Sequence, residues 1–365
     1  MRILFRTAVW SAALFAALVA TVLASTTVGS VNLDIGTVAR AVLNTLAYPS
    51  GVSVESSQLG LGERVVQVPV PDISYTRPFG FEVAETDQII VQKIRLPRIA
   101  LGAVVGFALG TAGAVMQGFF RNPMADPSII GVSSGAAVGA VATIAFPVAI
   151  PFGLPTAAFF GAVLSAFGVY LIATEGGRTP VATLLLAGLA VQTFLGAVVS
   201  FLLLRSGEGL EEAILWLMGT LRYSNWGHVE ATLPLAVLFF IILLVYARDL
   251  NVMLLGEEEA LALGIEVERT KRLLLVASAL ITAAAVAVAG IIGFVGLVIP
   301  HIMRLLVGPD HRILVPTSAL AGATFLVLAD TVARAGTAMP VGIVAAAVGA
   351  PFFLFLLRNR EVHAL

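Results

Sequence analysis

The sequence predicts an all-α polytopic membrane protein of about ten transmembrane helices, and three observations carry that prediction. Of 365 residues, 59% are apolar and 12% charged, against roughly 45–50% and about 25% in soluble domains. No soluble core of this length hides that excess, so the apolar side chains must face lipid or one another within a bilayer. Apolar runs long enough to cross the hydrocarbon layer recur from end to end. The basic residues between them fall mostly into alternate connections, as expected of cytoplasmic loops.

The runs lie at 7–28, 94–118, 128–148, 154–173, 180–204, 229–247, 273–290, 291–308, 313–333 and 340–357. The first follows Arg2 and Arg6 and resembles a secretory signal. It is long for a signal core, and the later runs need an inserted start, so it reads as an uncleaved span. Residues 29–92 form an extended extracytoplasmic loop with seven acids (Asp34, Glu55, Glu63, Asp72, Glu82, Glu85, Asp87) and three arginines (Arg40, Arg64, Arg77). Its stretch "VVQVPVPDISYTRPFG" alternates weakly and is broken by prolines, which predicts at best a short hairpin.

The second span repeats Gly102, Gly106 and Gly110 on one face with Gly113 close by, and the third repeats Gly131, Gly135 and Gly139. Small residues at this spacing let helix backbones approach. The plain reading is bundle packing; the sharper one makes Gly106, Gly110 and Gly135 a smooth lining for a bulky solute. Between these spans, "RNPMADP" sets Asn122 and Asp126 before prolines, which ends a helix at each, while Pro127 suits a first helical turn. A turn explains the segment; a gate at the inner end of a glycine-lined helix is the functional alternative.

Further on, "EEAILWLMG" within 206–228 is too short to span and suits a half-helix. The inner loop 248–272 pairs acids with apolar residues at helical spacing, as two short amphipathic helices split near Gly256. From Leu273 to Ile299 no charge interrupts the run, yet its length exceeds one crossing, and Gly290 and Gly293 offer a turn between two spans. In "GFVGLVIPHIMR" the Pro300–His301 pair predicts a break or kink.

With the N-terminus inside, the inner side holds Arg2, Arg6, Arg121, Arg178, Arg248, Arg269, Lys271, Arg272, Arg304, Arg312, Arg358 and Arg360, against Arg205, Arg222 and Arg334 in short outer loops. Both termini are therefore expected in the cytoplasm. Polar residues within spans should face the bundle interior: Gln117, Gln192, Arg304 and, near an outer end, Asp330. "KIRLPR" places Lys93, Arg95 and Arg98 at an outer mouth, and Arg334 lies at another. They either snorkel to headgroups or form a basic rim for an acidic partner.

Several functions are excluded. The net charge of −1 gives no field for nucleic acid. The absence of cysteine removes disulfides, thiolate metal sites and cysteine nucleophiles. His228, His301, His311 and His363 lack metal-ligand spacing, so no metal site is expected. A phosphate-binding loop needs Gly-Lys-[Ser/Thr], and neither lysine, Lys93 nor Lys271, follows glycine. Catalytic residues are not expected: no nucleophile–base pair suits an intramembrane enzyme. The rival from another class, an ion-coupled secondary transporter, would call for midplane carboxylates.

"RLPR…GAVMQGFFRNPMADPSIIGVSSGA", "LLLAGLAV", "ILWLMG", "GFVGLVIPHIMRLLVGPDHRILVPTSALAGATFLVLADTVAR" and "MPVGIVAAAVGAPFFLFLL" resemble, in order over about 90–350, the permease subunits of ABC importers for iron chelates and vitamin B12. The resemblance implies a single permease domain over 1–365 that binds no cofactor. It also implies a plasma-membrane homodimer with the pathway at its interface. Two ATPase subunits, which use ATP and Mg, would bind on the cytoplasmic side, and a substrate-binding protein outside. It points to Arg95, Arg98 and Arg334 for binding-protein docking, and to Asn122 and Met124 for a cytoplasmic gate. A second gate position falls on Val181 and Ala182, where vitamin B12 members carry small hydroxyl residues. The coupling helices match 250–266, with Leu254, Gly256, Glu258, Ala260, Leu261 and Gly264 contacting the ATPase. Gly106, Gly110, Gln117 and Gly135 would line or pack the pathway. The expected cargo is cobalamin, with ferric siderophore or haem as the alternative. The length of the 29–92 loop departs from the family pattern.

Overall fold

A computed structural model describes residues 2–29, 31, 33–46, 48–61, 64–76, 78–146, 153–335 and 339–359. Glu63, Arg77, Arg360 and His363 lie outside them. The chain forms two compact units, Met1–Ser30 with Pro97–Leu365, and Val31–Leu96.

In chain order, α1 (Arg2–Thr27) precedes the smaller unit, which holds α2 (Ile35–Leu43), strands β1 (Tyr48–Leu61) and β2 (Arg64–Thr76), α3 (Glu85–Ile89) and a π-helical stretch Ile90–Arg95. Asp34 caps α2 by accepting from the N–H groups of Gly36 and Thr37, which satisfies two otherwise orphaned donors. The strands pair antiparallel from Tyr48↔Thr76 to Leu61↔Arg64, far longer than the short hairpin expected. The prolines do not break β2 because Pro69 and Pro71 are two residues apart. That spacing puts both ring nitrogens on one edge, and a two-stranded hairpin leaves such an edge unpaired.

The larger unit continues with α4 (Leu96–Phe119), a 3₁₀ turn Pro127–Ile130, α5 (Val132–Ala145), α6 (Leu154–Ala173), α7 (Val181–Arg205), α8 (Leu210–Leu217) and α9 (Trp226–Val245). Then come α10 (Ala247–Met253), α11 (Glu257–Ala262), α12 (Val267–Ala289), α13 (Val295–Val307), α14 (His311–Ala335) and α15 (Val341–Asn359). Seven helical stretches are long and apolar enough to cross a membrane, and three shorter apolar helices, Val132–Ala145, Val295–Val307 and Val341–Leu354, accompany them. All ten expected runs are thus helical, but two are shorter than the sequence implies. α5 starts at Val132 rather than 128, because Pro127 opens a 3₁₀ turn that ends on left-handed Gly131. α13 starts at Val295 rather than 291, after Gly290 and Phe294 at φ 70° and 68°. At 13 residues it is about 20 Å long, short of a full crossing.

The glycine faces serve packing within the chain. A β-carbon on Gly106 would lie 2.2 Å from the Gly322 carbonyl oxygen, and one on Gly110 2.3 Å from that of Ser318, so α4 and α14 cross backbone to backbone. Gly135 and Gly139 stand likewise against Gly161 and Ala157 of α6. These glycines are therefore sealed behind neighbouring helices, and the solute-lining reading of Gly106, Gly110 and Gly135 is corrected.

Gln117 is buried as expected, and its role is also structural. Pro300 inside α13 has no N–H for the Gly296 carbonyl four residues back. Gln117 Nε2 instead donates to Gly296 O at 3.3 Å and Leu297 O at 2.9 Å, while its Oε1 accepts from Arg304 Nη1 at 3.0 Å. One side chain supplies the donor the proline removed, so α13 runs unbroken through Pro300 and His301. The turn expected at Gly290 and Gly293 is present between α12 and α13. Half-helix α8 is present, and its end packs on that turn: a β-carbon on Gly290 would lie 2.1 Å from Trp216 O, and Thr220 N–H donates to Ala289 O at 2.8 Å.

Candidate functional site

The expected split of the inner loop is borne out: α10 ends at Met253, Gly256 sits at φ 148°, and α11 begins at Glu257. Glycine suits that backbone, since φ 148° lies where L side chains rarely go. Met253, Ala260 and Val267 form a small buried cluster beneath the loop. Ala260 is thus structural, whereas Glu258 and Leu261 are exposed. Leu255, Leu261 and Leu263 are 69%, 60% and 64% exposed on a loop of acids. Leu255, not singled out in the sequence, lies within the matched stretch 250–266, and its exposure comes from the turn between α10 and α11.

Three side chains tie this loop to its surroundings: Arg121 to the turn after α4, Lys271 to the base of α12, and Asn251 to the start of α14. Arg121, itself at φ 48°, donates from Nη2 to the Met253 carbonyl at 2.5 Å, placing a cation on a helix C-terminus. Lys271 is buried and pairs with Glu257 at 2.7 Å and Glu268 at 3.0 Å; Glu268 accepts from the Thr179 N–H at 3.2 Å, two residues before Val181. Asn251 donates to Asp310 Oδ1 at 2.7 Å, and its own oxygen accepts from the His311 N–H at 3.0 Å and Nδ1 at 2.7 Å. Because that amide oxygen can only accept, Nδ1 of His311 carries the hydrogen. The Arg312 side chain and this amide hold the Asp310 carboxyl well down, at about 2. Arg121, Lys271 and Asn251 carry no recognisable motif. Only three-dimensional juxtaposition gives them a role: Arg121 with the end of α10, Lys271 with the acids of α11 and α12, and Asn251 with the start of α14.

These connections enclose a cavity of about 440 Å³ lined by Phe120, Arg121, Val181, Ala182, Met253 and Lys271, among others. The structure so brings both expected gate segments and the inner loop to one place. Asn122 and Ala182 are exposed, and Asn122 accepts from the Met124 N–H at 2.9 Å, which tightens the turn.

At the other end of α4 the three arginines are placed differently from expectation. Arg98 grips Asp330 through Nε and Nη2 at 2.9 and 2.7 Å, and Arg334 reaches the same carboxylate at 2.9 Å. Exposure is 15% for Arg98, 8% for Arg334 and 2% for Asp330. Arg334 also donates to the Val28 carbonyl at 2.8 Å and to Ser25. Arg95 is buried and donates to the Val31 carbonyl. A free guanidinium at this depth is costly, so the chain supplies its own acceptors. The reading of these three as an open basic rim is corrected; Lys93, on the same segment, is exposed. Gln192, half-buried, donates to the Ile129 carbonyl at 2.8 Å, and Asp330 faces inward as expected.

Comparison with known proteins gives a consistent result. The model of the FecCD transport family matches residues 17–359. A cobalamin import system permease protein, BtuC, of Halobacterium salinarum is 57% identical over 363 residues, 99% of this chain and 98% of that one. A hemin transport system permease protein, HmuU, of Yersinia pestis is 44% identical over 280 residues, 73% of this chain and 83% of that one. Among solved structures, a metal-chelate type ABC transporter in an inward-facing conformation superposes with a TM-score of 0.76 at 30% identity, covering 96% of this chain and 98% of that one.

Proposed function

The chain belongs to the FecCD transport family, and on that premise we propose that it is the permease subunit of an ABC importer carrying cobalamin inward. The observation that carries the cargo is the 57% identity over nearly the whole of both chains to a cobalamin permease, against shorter and weaker similarity to a haem permease. Haem or a ferric siderophore is the second reading, favoured by the relatives that carry those names. Two copies assemble in the plasma membrane with both termini cytoplasmic. Two ATPase subunits, which use ATP and Mg, seat below, and a substrate-binding protein seats above.

The chain's part is mechanical. The ATPase presses on Leu255, Leu261 and Leu263, and the push passes through the Met253–Arg121 hydrogen bond to the turn bearing Asn122 and Met124. It passes through Glu257–Lys271–Glu268–Thr179 to Val181 and Ala182. The two turns move together because both hang on the same pair of short helices. ATP binding then shifts the population of two gate arrangements by its differential contacts with this loop. Outside, docking falls to the exposed Lys93.

Co-reconstitution in vesicles with the partner ATPase and binding protein tests the whole reading. Labelled cobalamin should accumulate only with ATP and ATPase, and haem and ferric siderophore should not compete. Uptake driven by an ion gradient without ATPase would overturn it. The double substitution Leu261→Asp, Leu263→Asp should weaken ATPase binding at least ten-fold, since each fully buried leucine is worth roughly 1.5–3 kcal/mol; unchanged affinity in a pull-down titration removes the loop from coupling. The chain has no cysteine, so Asn122→Cys gives a clean cross-linking background. A disulfide-linked pair of chains should form in at least one nucleotide state, and its absence in all of them argues against a paired gate.

A further inference from the structure

We propose that the chain holds one anionic phospholipid of the inner leaflet in a groove between α6 and α12. The groove has a volume of about 190 Å³, and its lining is hydrocarbon apart from one hydroxyl, that of Tyr170. On α6 the lining residues Val163, Ala166, Phe167 and Tyr170 recur at i, i+3, i+4 and i+7; on α12 Leu275, Val276 and Ala279 recur in the same way after Arg272. Each set is one stripe of a helix, about 10 Å long at 1.5 Å per residue. The polar group of each stripe lies at the same end: Arg272 Nε donates to the Tyr170 hydroxyl at 3.2 Å. That is the only hydrogen bond or ion pair of Arg272 among the described residues, and its guanidinium is exposed.

The site is therefore amphiphilic in its own geometry. It is an oily slot, open where Phe167 and Val276 are 56% and 47% exposed, with a fixed cation at one mouth. A hydrocarbon chain fits the slot, and a phosphodiester fits the cation, which keeps N–H donors beyond the one given to Tyr170. Arg272 lies in the second turn of α12, directly after the loop that the count of Lys and Arg puts in the cytoplasm. The lipid so comes from the inner leaflet, where anionic headgroups attract such residues. Tyr170 orients the guanidinium, and its ring forms the slot's floor. The inference rests on the membrane-spanning fold and is independent of which chelate is carried.

Native mass spectrometry of the full chain, released from micelles doped equally with phosphatidylglycerol and phosphatidylcholine, tests it. The wild type should retain phosphatidylglycerol about five-fold over phosphatidylcholine, the effect of one cation on an anionic lipid. Arg272→Gln, at an exposed position, should remove that preference without loss of folded protein. Ala279→Trp, which fills the slot, should lose the first adduct of both lipids. Equal retention of the two lipids by the wild type, or an unchanged preference in Arg272→Gln, would overturn the proposal. So would a wild type free of lipid whose Phe167→Cys variant cross-links to a second copy, which would give the groove to self-association.

Discussion

Gly113→Ala should leave little folded protein. A β-carbon there would lie 1.9 Å from the Gly296 carbonyl oxygen and 2.6 Å from its Cα and carbonyl carbon. The obstacle is backbone on both sides, so no rotamer change relieves it; α4 and α13 must separate. Overpacking typically costs about 1–3 kcal/mol where side chains can shift. Here the displaced carbonyl is also one that Gln117 satisfies in place of Pro300, so a buried acceptor is lost as well, a further penalty of about 1–3 kcal/mol. We expect a total near the upper end of their sum, enough to empty the monodisperse peak in size-exclusion chromatography of the detergent extract. Gly168→Ala is the control. It is helical with nothing within 4 Å, and should stabilise by about 0.5–1 kcal/mol through the lower chain entropy of alanine. A Gly113→Ala protein as stable as wild type would mean that α4 and α13 are not in backbone contact.

The contrast between those two glycines also shows what the sequence makes legible. Spacing of four residues announced a packing face, and the ten apolar runs announced ten helices, because both are periodic and local. Which carbonyl each α4 glycine would strike depends on crossings between helices some 180 to 220 residues apart, and no local pattern encodes them. Gln117 illustrates the same limit: its burial followed from its place in an apolar run, but its task follows from Pro300 on another helix. The inner loop was the most readable part of the site, since Gly256 punctuates two amphipathic stretches. The residues that tie it to the gate turns, Arg121 and, through Glu268, Lys271, were not readable as such. The arginines near the outer end were misjudged for a related reason. Arg98, at the end of an apolar run, looks exposed until its acceptor, 232 residues away, is brought beside it.

That acceptor makes the second large effect. Asp330→Ala removes the single carboxylate shared by Arg98 and Arg334 and leaves two guanidiniums side by side in a buried setting. Removing one partner from a buried pair costs about 3–5 kcal/mol, and the like charges left behind add to it. Thermal unfolding in detergent should therefore show Asp330→Ala among the least stable single variants. Because the cluster is buried, adding salt should recover little of the loss, unlike a surface pair, whose interaction salt screens. A double-mutant cycle separates the pair from the site. Arg98→Met and Asp330→Leu alone should each destabilise, since each strips the other side chain of its partner. Arg98→Met combined with Asp330→Leu should recover part of the deficit, as apolar replacements of buried pairs often do. The coupling in that cycle should fall within the ~0.5–3 kcal/mol seen for contacting residues. If the two changes simply add, Arg98 and Asp330 do not touch. The cycle also decides how docking must be tested: Arg98→Glu or Arg334→Glu would set a second carboxylate against Asp330 and damage the fold itself. A charge reversal at exposed Lys93 probes the outer surface without that confusion. A loss of binding-protein affinity there, with unfolding unchanged, would assign the docking charge to Lys93 rather than to Arg98 and Arg334.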